Sequence, residues 1–204
     1  PFEAMLSLCD DPSELLEGKH DAIVVGPGLG EMETHFANGL AELIKGAKVP
    51  VVIDADALDL LSRYGIKPGK NHILTPHPGE FARLAPELSG VAREDAARSF
   101  VSETQAVLLL KGARSIVAKA GNPLRINSTG IPAMSNGGQG DLLSGVLGAL
   151  LAGGMDVFDA ASLGAWLCGR AAEISVSDMG SPSTATDTAA FLGLAMRDWC
   201  QGTR

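Results

Sequence analysis

Cysteine is scarce in this chain of 204 residues. Cys9, Cys168 and Cys200 are widely spaced and form no Cys-x-x-Cys pair, which argues against a disulfide framework or a zinc cluster. They read as isolated reduced thiols of a cytoplasmic protein. Basic residues are also in deficit: 16 Lys and Arg stand against 24 Asp and Glu, a net charge of −8. A general nucleic-acid binder carries a basic footprint that this composition lacks. No apolar run reaches the length that crosses a bilayer, so no membrane partner is expected. The opening Pro1-Phe2-Glu3-Ala4 has neither the basic nor the apolar region of a signal peptide. It also lacks an initiator Met, so upstream sequence is expected.

What is present is an ordinary globular balance, 46% hydrophobic and 20% charged, in a length that suits one domain. Short β-branched apolar runs at 22–25, 49–53, 73–75 and 106–110 read as buried strands. Helical patterns lie between them, at 32–45, after Asp56, at 80–84 and at 92–103. Two more strands, 115–119 and 124–127, form an expected hairpin turning at Gly121-Asn122. The apolar stripe Leu142, Leu143, Val146, Leu147, Leu150 and Leu151 marks a helix with Asp141 in its first turn. Helices are expected over 159–175 and, unbroken, over 187–199. Strands alternating with helices imply an α/β fold with a mostly parallel sheet covered on both faces. No linker or repeat divides it, so residues 1–204 read as one domain.

In such folds ligands bind beyond the carboxyl ends of the strands. Gly26-Pro27-Gly28-Leu29-Gly30 follows the first strand; its amides could face an anion, or it could simply be a tight turn. Asp54 follows the second, either facing the site to hold a metal-bound water or making a turn, while Asp56 reads as a helix cap. His77, fixed between Pro76 and Pro78, could bind substrate, although taken alone it reads as a surface-loop histidine; Pro78 suits a first helical position. Lys111 follows the fourth strand, placed to meet phosphate or to sit solvated at a turn. Gly137-Gly138-Gln139-Gly140-Asp141 is the strongest element. Unpaired amides and the positive pole of a helix bind phosphate, and glycines let backbone wrap the anion. Asp141 could accept a proton from an attacking hydroxyl, or could merely stabilise its own helix; three neighbouring glycines favour the first reading. The loop is not a Walker A sequence, and Glu31 breaks a dinucleotide fingerprint at 26–30.

In this order, GPGLG at 26–30, DADAL at 54–58, TPHPGE at 75–80, KGARS at 111–115 and GGQGDLLSG at 137–145 resemble the NAD(P)H-hydrate dehydratases of the ribokinase-like superfamily. The resemblance implies a three-layer αβα fold and a hydro-lyase that spends ADP or ATP, with Mg²⁺, to remove water from NADHX and NADPHX. It implies nucleotide contacts at Lys111, Gly112, Ala113, Arg114 and Ser115, and at Asn136, Gly137, Gly138, Gln139 and Gly140. It implies substrate contacts at Gly28 or Gly30, His77 and Asp141, with Asp141 catalytic. Family members often carry Thr at position 139, Thr at 115 and Gly-Asn-Pro-Gly at 130–133, where this chain has Gln139, Ser115 and Gly130-Ile131-Pro132-Ala133. The family's domains begin with further βα units, so an N-terminal segment, or an upstream epimerase domain, is an expected partner; a homo-oligomer, often a tetramer, is another. A ribokinase-like kinase of a vitamin precursor, sharing Gly140 and Asp141, and a non-catalytic nucleotide-binding subunit are the alternatives.

Overall fold

Neighbouring residues of a strand point to opposite sides of a sheet. In this chain Val51, Val52 and Ile53 are all fully buried, so both sides must be covered. The computed structural model, which describes residues 4–180 and 184–202, meets that demand. Six strands form one sheet in the order of the sequence: β1 (Ile23–Val25), β2 (Val51–Ile53), β3 (His72–Leu74), β4 (Val107–Leu110), β5 (Ile116–Ala118) and β6 (Arg125–Ile126). The first four run parallel, and β5 and β6 return antiparallel as the expected hairpin.

Sequential order with a single hand of crossover places the connecting helices on one face. These are α1 (Thr34–Gly46), α2 (Asp56–Arg63), α3 (Pro78–Leu84) and α4 (Arg93–Thr104), packed on Val51, Ile53, Leu74, Leu108 and Leu110. The alternate strand residues Val52, Ile73, Val107 and Leu109 meet α5 (Gln139–Ala152) and α6 (Val157–Met179) on the other face. The expected three-layer αβα arrangement is therefore the observed one. Each layer boundary buries aliphatic side chains at about 25 cal/mol per Å² of apolar surface.

One expectation fails. The C-terminal helix is not continuous but divides into α7 (Ala185–Ala190) and α8 (Leu192–Gln201). A capping box between Thr184 and Asp187 starts α7, and Phe191, at φ −99° and ψ 0°, breaks the ladder between the two. The preceding helix is also longer than expected, because Asp156 caps it by accepting from the amides of Phe158 and Asp159. The three thiols are unpaired, as the sequence implied. Burial pushes Cys168 up to about 12, which leaves it inert. No helix among the described residues is long and apolar enough to cross a membrane.

His72 on β3 is buried, and its Nδ1 accepts from the amide of Gly69 at 3.0 Å. Burial holds its pKa below the ordinary 6.5. The unfolded chain thus takes up this proton at a higher pH than the folded one does, so stability is lost as pH falls below 6.5. Urea unfolding of wild type should show that decline between neutral pH and the acid transition of the carboxylates. His72→Gln should flatten it.

Candidate active site

The carboxyl ends of β1 to β4 open on one edge of the sheet, and the amino end of α5 meets them there. Close backbone contact begins the site. Gly26 has φ +119°, and a side chain there would collide with the carbonyl oxygen of Asp54. The 26–30 loop is then tied down by Asp56, whose carboxylate accepts from the Gly30 amide at 2.8 Å. This corrects the reading of Asp56 as a helix cap. It occupies the first turn of α2, and the N-cap is Ala55, which caps with no side chain and sits at φ +47°. Gly28 and Gly30 both adopt positive φ with open space around them.

Beneath this loop lies a buried polar centre that the sequence left undecided. Asp54 is 1% exposed. Its Oδ1 accepts from Lys111 Nζ and its Oδ2 from Ser144 Oγ, both at 2.8 Å. Ser144 is fully buried in α5, and Lys111 closes β4. Lys111 is therefore neither a solvated turn residue nor a free arm. Its ammonium is held between Asp54 and Glu80, whose Oε2 lies 3.7 Å away. Gly140 rests directly above. A Cβ there would come 3.4 Å from Lys111 Nζ and 3.6 Å from Asp54 Oδ2, so the glycine brings backbone onto the ion pair.

Glu80 also joins His77 to the centre. His77 is the N-cap of α3, not an idle loop residue: its Nδ1 accepts from the amides of Gly79 and Glu80 at 3.0 and 3.3 Å. Glu80 returns the bond by accepting from the His77 amide at 2.6 Å. This is a reciprocal capping box with histidine in the usual Ser or Thr position. The Ser/Thr-x-x-Glu spacing was the available signal, hidden by the unusual cap.

Above the centre, Gly138 caps α5 at φ +87°, leaving the amides of the first turn without helical partners. Asp141 is exposed in that turn, and its carboxylate takes no partner among the described residues. Gln139 points inward instead. It is buried, donates from Nε2 to Thr188 Oγ1 at 3.1 Å, and so ties the cradle to α7. The 111–115 loop flanks the cradle. Gly112, Ala113 and Arg114 are exposed, Gly112 and Arg114 have positive φ, and Ser115 Oγ donates to the Gly112 carbonyl at 3.2 Å. Asn136, also half of a turn, donates to the Ala133 carbonyl at 2.7 Å.

The structure thus joins His77, Lys111 and Gly140 through Asp54, Glu80 and Ser144, three residues to which the sequence assigned no settled role. Among the described residues no three Asp, Glu, His or Cys converge as a metal cage. A divalent cation carried on nucleotide phosphates, as Mg²⁺ is usually bound, takes most of its ligands from phosphate and water and needs no such cage. Breaking the buried pair should be costly. Lys111→Met is expected to lower stability by about 3 kcal/mol, because it strands Asp54 in the interior. The double variant Asp54→Leu/Lys111→Met should recover part of that loss in chemical denaturation.

Comparison with known proteins gives the family and the fold. The family model described as NAD(P)H-hydrate dehydratase matches residues 4–191. A bifunctional NAD(P)H-hydrate repair enzyme of Gloeobacter violaceus is 43% identical over 149 residues, 72% of this chain and 28% of that protein. An ADP-dependent (S)-NAD(P)H-hydrate dehydratase of Neisseria meningitidis is 38% identical over 174 residues, 80% of this chain and 59% of its own length. The chain therefore spans 28% and 59% of the lengths of these two relatives. The crystal structure of the ADP/ATP-dependent NAD(P)H-hydrate dehydratase of Bacillus subtilis, co-crystallised with ATP/Mg²⁺, superposes with a TM-score of 0.69 at 27% identity, covering 91% of this chain and 69% of that one. The fold is the ribokinase-like one. With its motifs gathered at one edge of that fold, the chain belongs to the NAD(P)H-hydrate dehydratase family.

Proposed function

We propose that this protein dehydrates the 6S hydrates of NADH and NADPH at the expense of ADP or ATP, a hydro-lyase reaction that repairs the nicotinamide nucleotides. The observation that carries the reading is the amino end of α5: a glycine-capped helix start with one unengaged carboxylate, Asp141, beside unpaired amides. The family membership and the ADP- and ATP-dependent relatives support the choice of co-substrate.

The chemistry follows from the leaving group. Hydroxide leaves a ring carbon poorly. In the proposed first step the hydrate hydroxyl attacks the terminal phosphorus of the nucleotide, its proton passes to Asp141, and the bond to ADP (from ATP) or AMP (from ADP) breaks. The amides of Gly138, Gln139 and Gly140 offset the charge that develops on the transferring group. Phosphate then departs as the ring nitrogen's lone pair pushes in, and loss of a proton from the adjacent carbon restores the double bond. Mg²⁺, when bound to the nucleotide, would neutralise phosphate charge.

Lys111 enters this scheme differently from a free phosphate arm. Its charge is largely matched by Asp54, so it contributes chiefly by holding Gly140 in place. Gly112, Ala113, Arg114, Ser115, Asn136 and Gly137 are the proposed remaining contacts to the nucleotide. Gly28 or Gly30, together with His77, would contact the hydrated dinucleotide. A groove of about 400 Å³ opens on the other side of Gly28 and Leu29, against Met32, His35 and Phe36.

Incubation with NADH hydrate and either ADP or ATP should regenerate the NADH absorbance with release of inorganic phosphate. Accumulation of a phosphorylated small molecule without loss of water would mark a kinase instead. Asp141→Asn should lower turnover by about 10²-fold or more with nucleotide binding retained. Wild-type turnover in that variant would remove Asp141 from the mechanism.

A further inference from the structure

We infer that Arg93 is a positioning residue for the nucleotide, acting as a clamp that sets the shape of the 111–115 loop before the nucleotide arrives. The inference rests on the proposed nucleotide role of that loop and adds a residue from a different element.

Arg93 opens α4, the helix that packs behind β4 and β5. Its guanidinium reaches over the end of β4 and donates to three carbonyls. Nη1 bonds Ala113 at 3.1 Å; Nη2 bonds Lys111 at 3.3 Å and Leu110 at 3.4 Å. These acceptors bracket Gly112. A Cβ on that glycine would stand 3.0 Å from Arg93 Nη2, and its φ of +139° is one that L side chains rarely adopt. The glycine and the arginine are thus fitted to each other.

Nothing local favours an arginine here. A cation in the first turn of a helix stands at the positive pole of the helix dipole. Arg93 Nε is buried without a hydrogen-bond partner. No carboxylate lies within ion-pair distance of it among the described residues. Three backbone carbonyls engage Nη1 and Nη2 but leave Nε without a partner and the charge uncancelled. Lys111, one residue before the bend, is in the opposite state, paired with Asp54 and flanked by Glu80. Arg93 thus sets a positive charge from α4 behind a loop whose tip, Gly112 to Arg114, faces solvent and adds the charge of Arg114, likewise without an ion pair among the described residues. The planar fork explains the residue type: one flat group spans three carbonyls, which a single ammonium cannot do in the same geometry. Setting the loop in advance removes an ordering cost from binding.

Calorimetric titration with ADP and with ATP, alongside steady-state kinetics with NADH hydrate, tests this on the full chain. Arg93→Ala should weaken both nucleotides about tenfold to a hundredfold, the cost of losing charge-assisted bonds. The KM for NADH hydrate should stay within about twofold, and added guanidinium at low concentration should restore part of the nucleotide affinity. Arg93→Lys should fall between. A folded Arg93→Ala protein that binds nucleotide as wild type does overturns the clamp alone. Should that variant fail to fold, Arg93→Lys decides, and wild-type affinity in it overturns the clamp. Wild-type protein that binds neither nucleotide overturns the functional reading and the clamp together.

Discussion

A carboxylate buried to 1% exposure at the end of a central strand must be matched or it will not stay ionised. Asp54 is matched twice, by the ammonium at the end of β4 and by a serine hydroxyl inside α5. Those two bonds fasten the first face of the sheet's open edge to the helix that covers the second. The rest of the site hangs on that junction. Gly26 packs on the Asp54 carbonyl, Gly140 packs on its side chain and on Lys111, and Glu80 stands on the far side of the same ammonium. A polar centre of this kind is costly to bury and restrictive in geometry, which suits a place where backbone must be held to a fraction of an ångström.

The fold was largely legible because its determinants are local. The runs that became β1 to β4 are short, β-branched and apolar, and the stripe that became α5 repeats at helical spacing; each marks itself without reference to the others. The hairpin turn at Gly121 is equally local, with φ +74° and a bond from the Asn122 amide to the Lys119 carbonyl. The break at Phe191 was not legible, because apolar residues continue through it, and the capping box that starts α7 begins at Thr184, ahead of the stretch read as one helix.

The site was legible in its loops and not in its supports. Gly-rich segments and a lysine after a strand declare themselves by composition and order. Asp54 and Ser144 are 90 positions apart, and Asp54 and Lys111 are 57 apart. Pairings at such separations leave no period in the sequence. Arg93 is a similar case, since an arginine in a helix's first turn looks like an exposed surface residue until the strand end it grips is in view. Asp56 shows the converse error: a residue type suited to capping was read as a cap, although the carboxylate reaches across to Gly30.

The capping box at α3 also fixes the electronic character of His77. With Nδ1 accepting from two backbone amides, the lone pair on that side of the imidazole is spent and the ring's hydrogen resides on Nε2. That hydrogen lies beside the capping glutamate, with Glu80 Oε1 3.5 Å from Nε2, so both ring nitrogens are turned to the capping box. The same carboxylate stands 3.7 Å from Lys111 Nζ, so the orientation of the ring is coupled to the buried ion pair. A helix cap thereby becomes a brace that transmits the position of the lysine to the rim of the site.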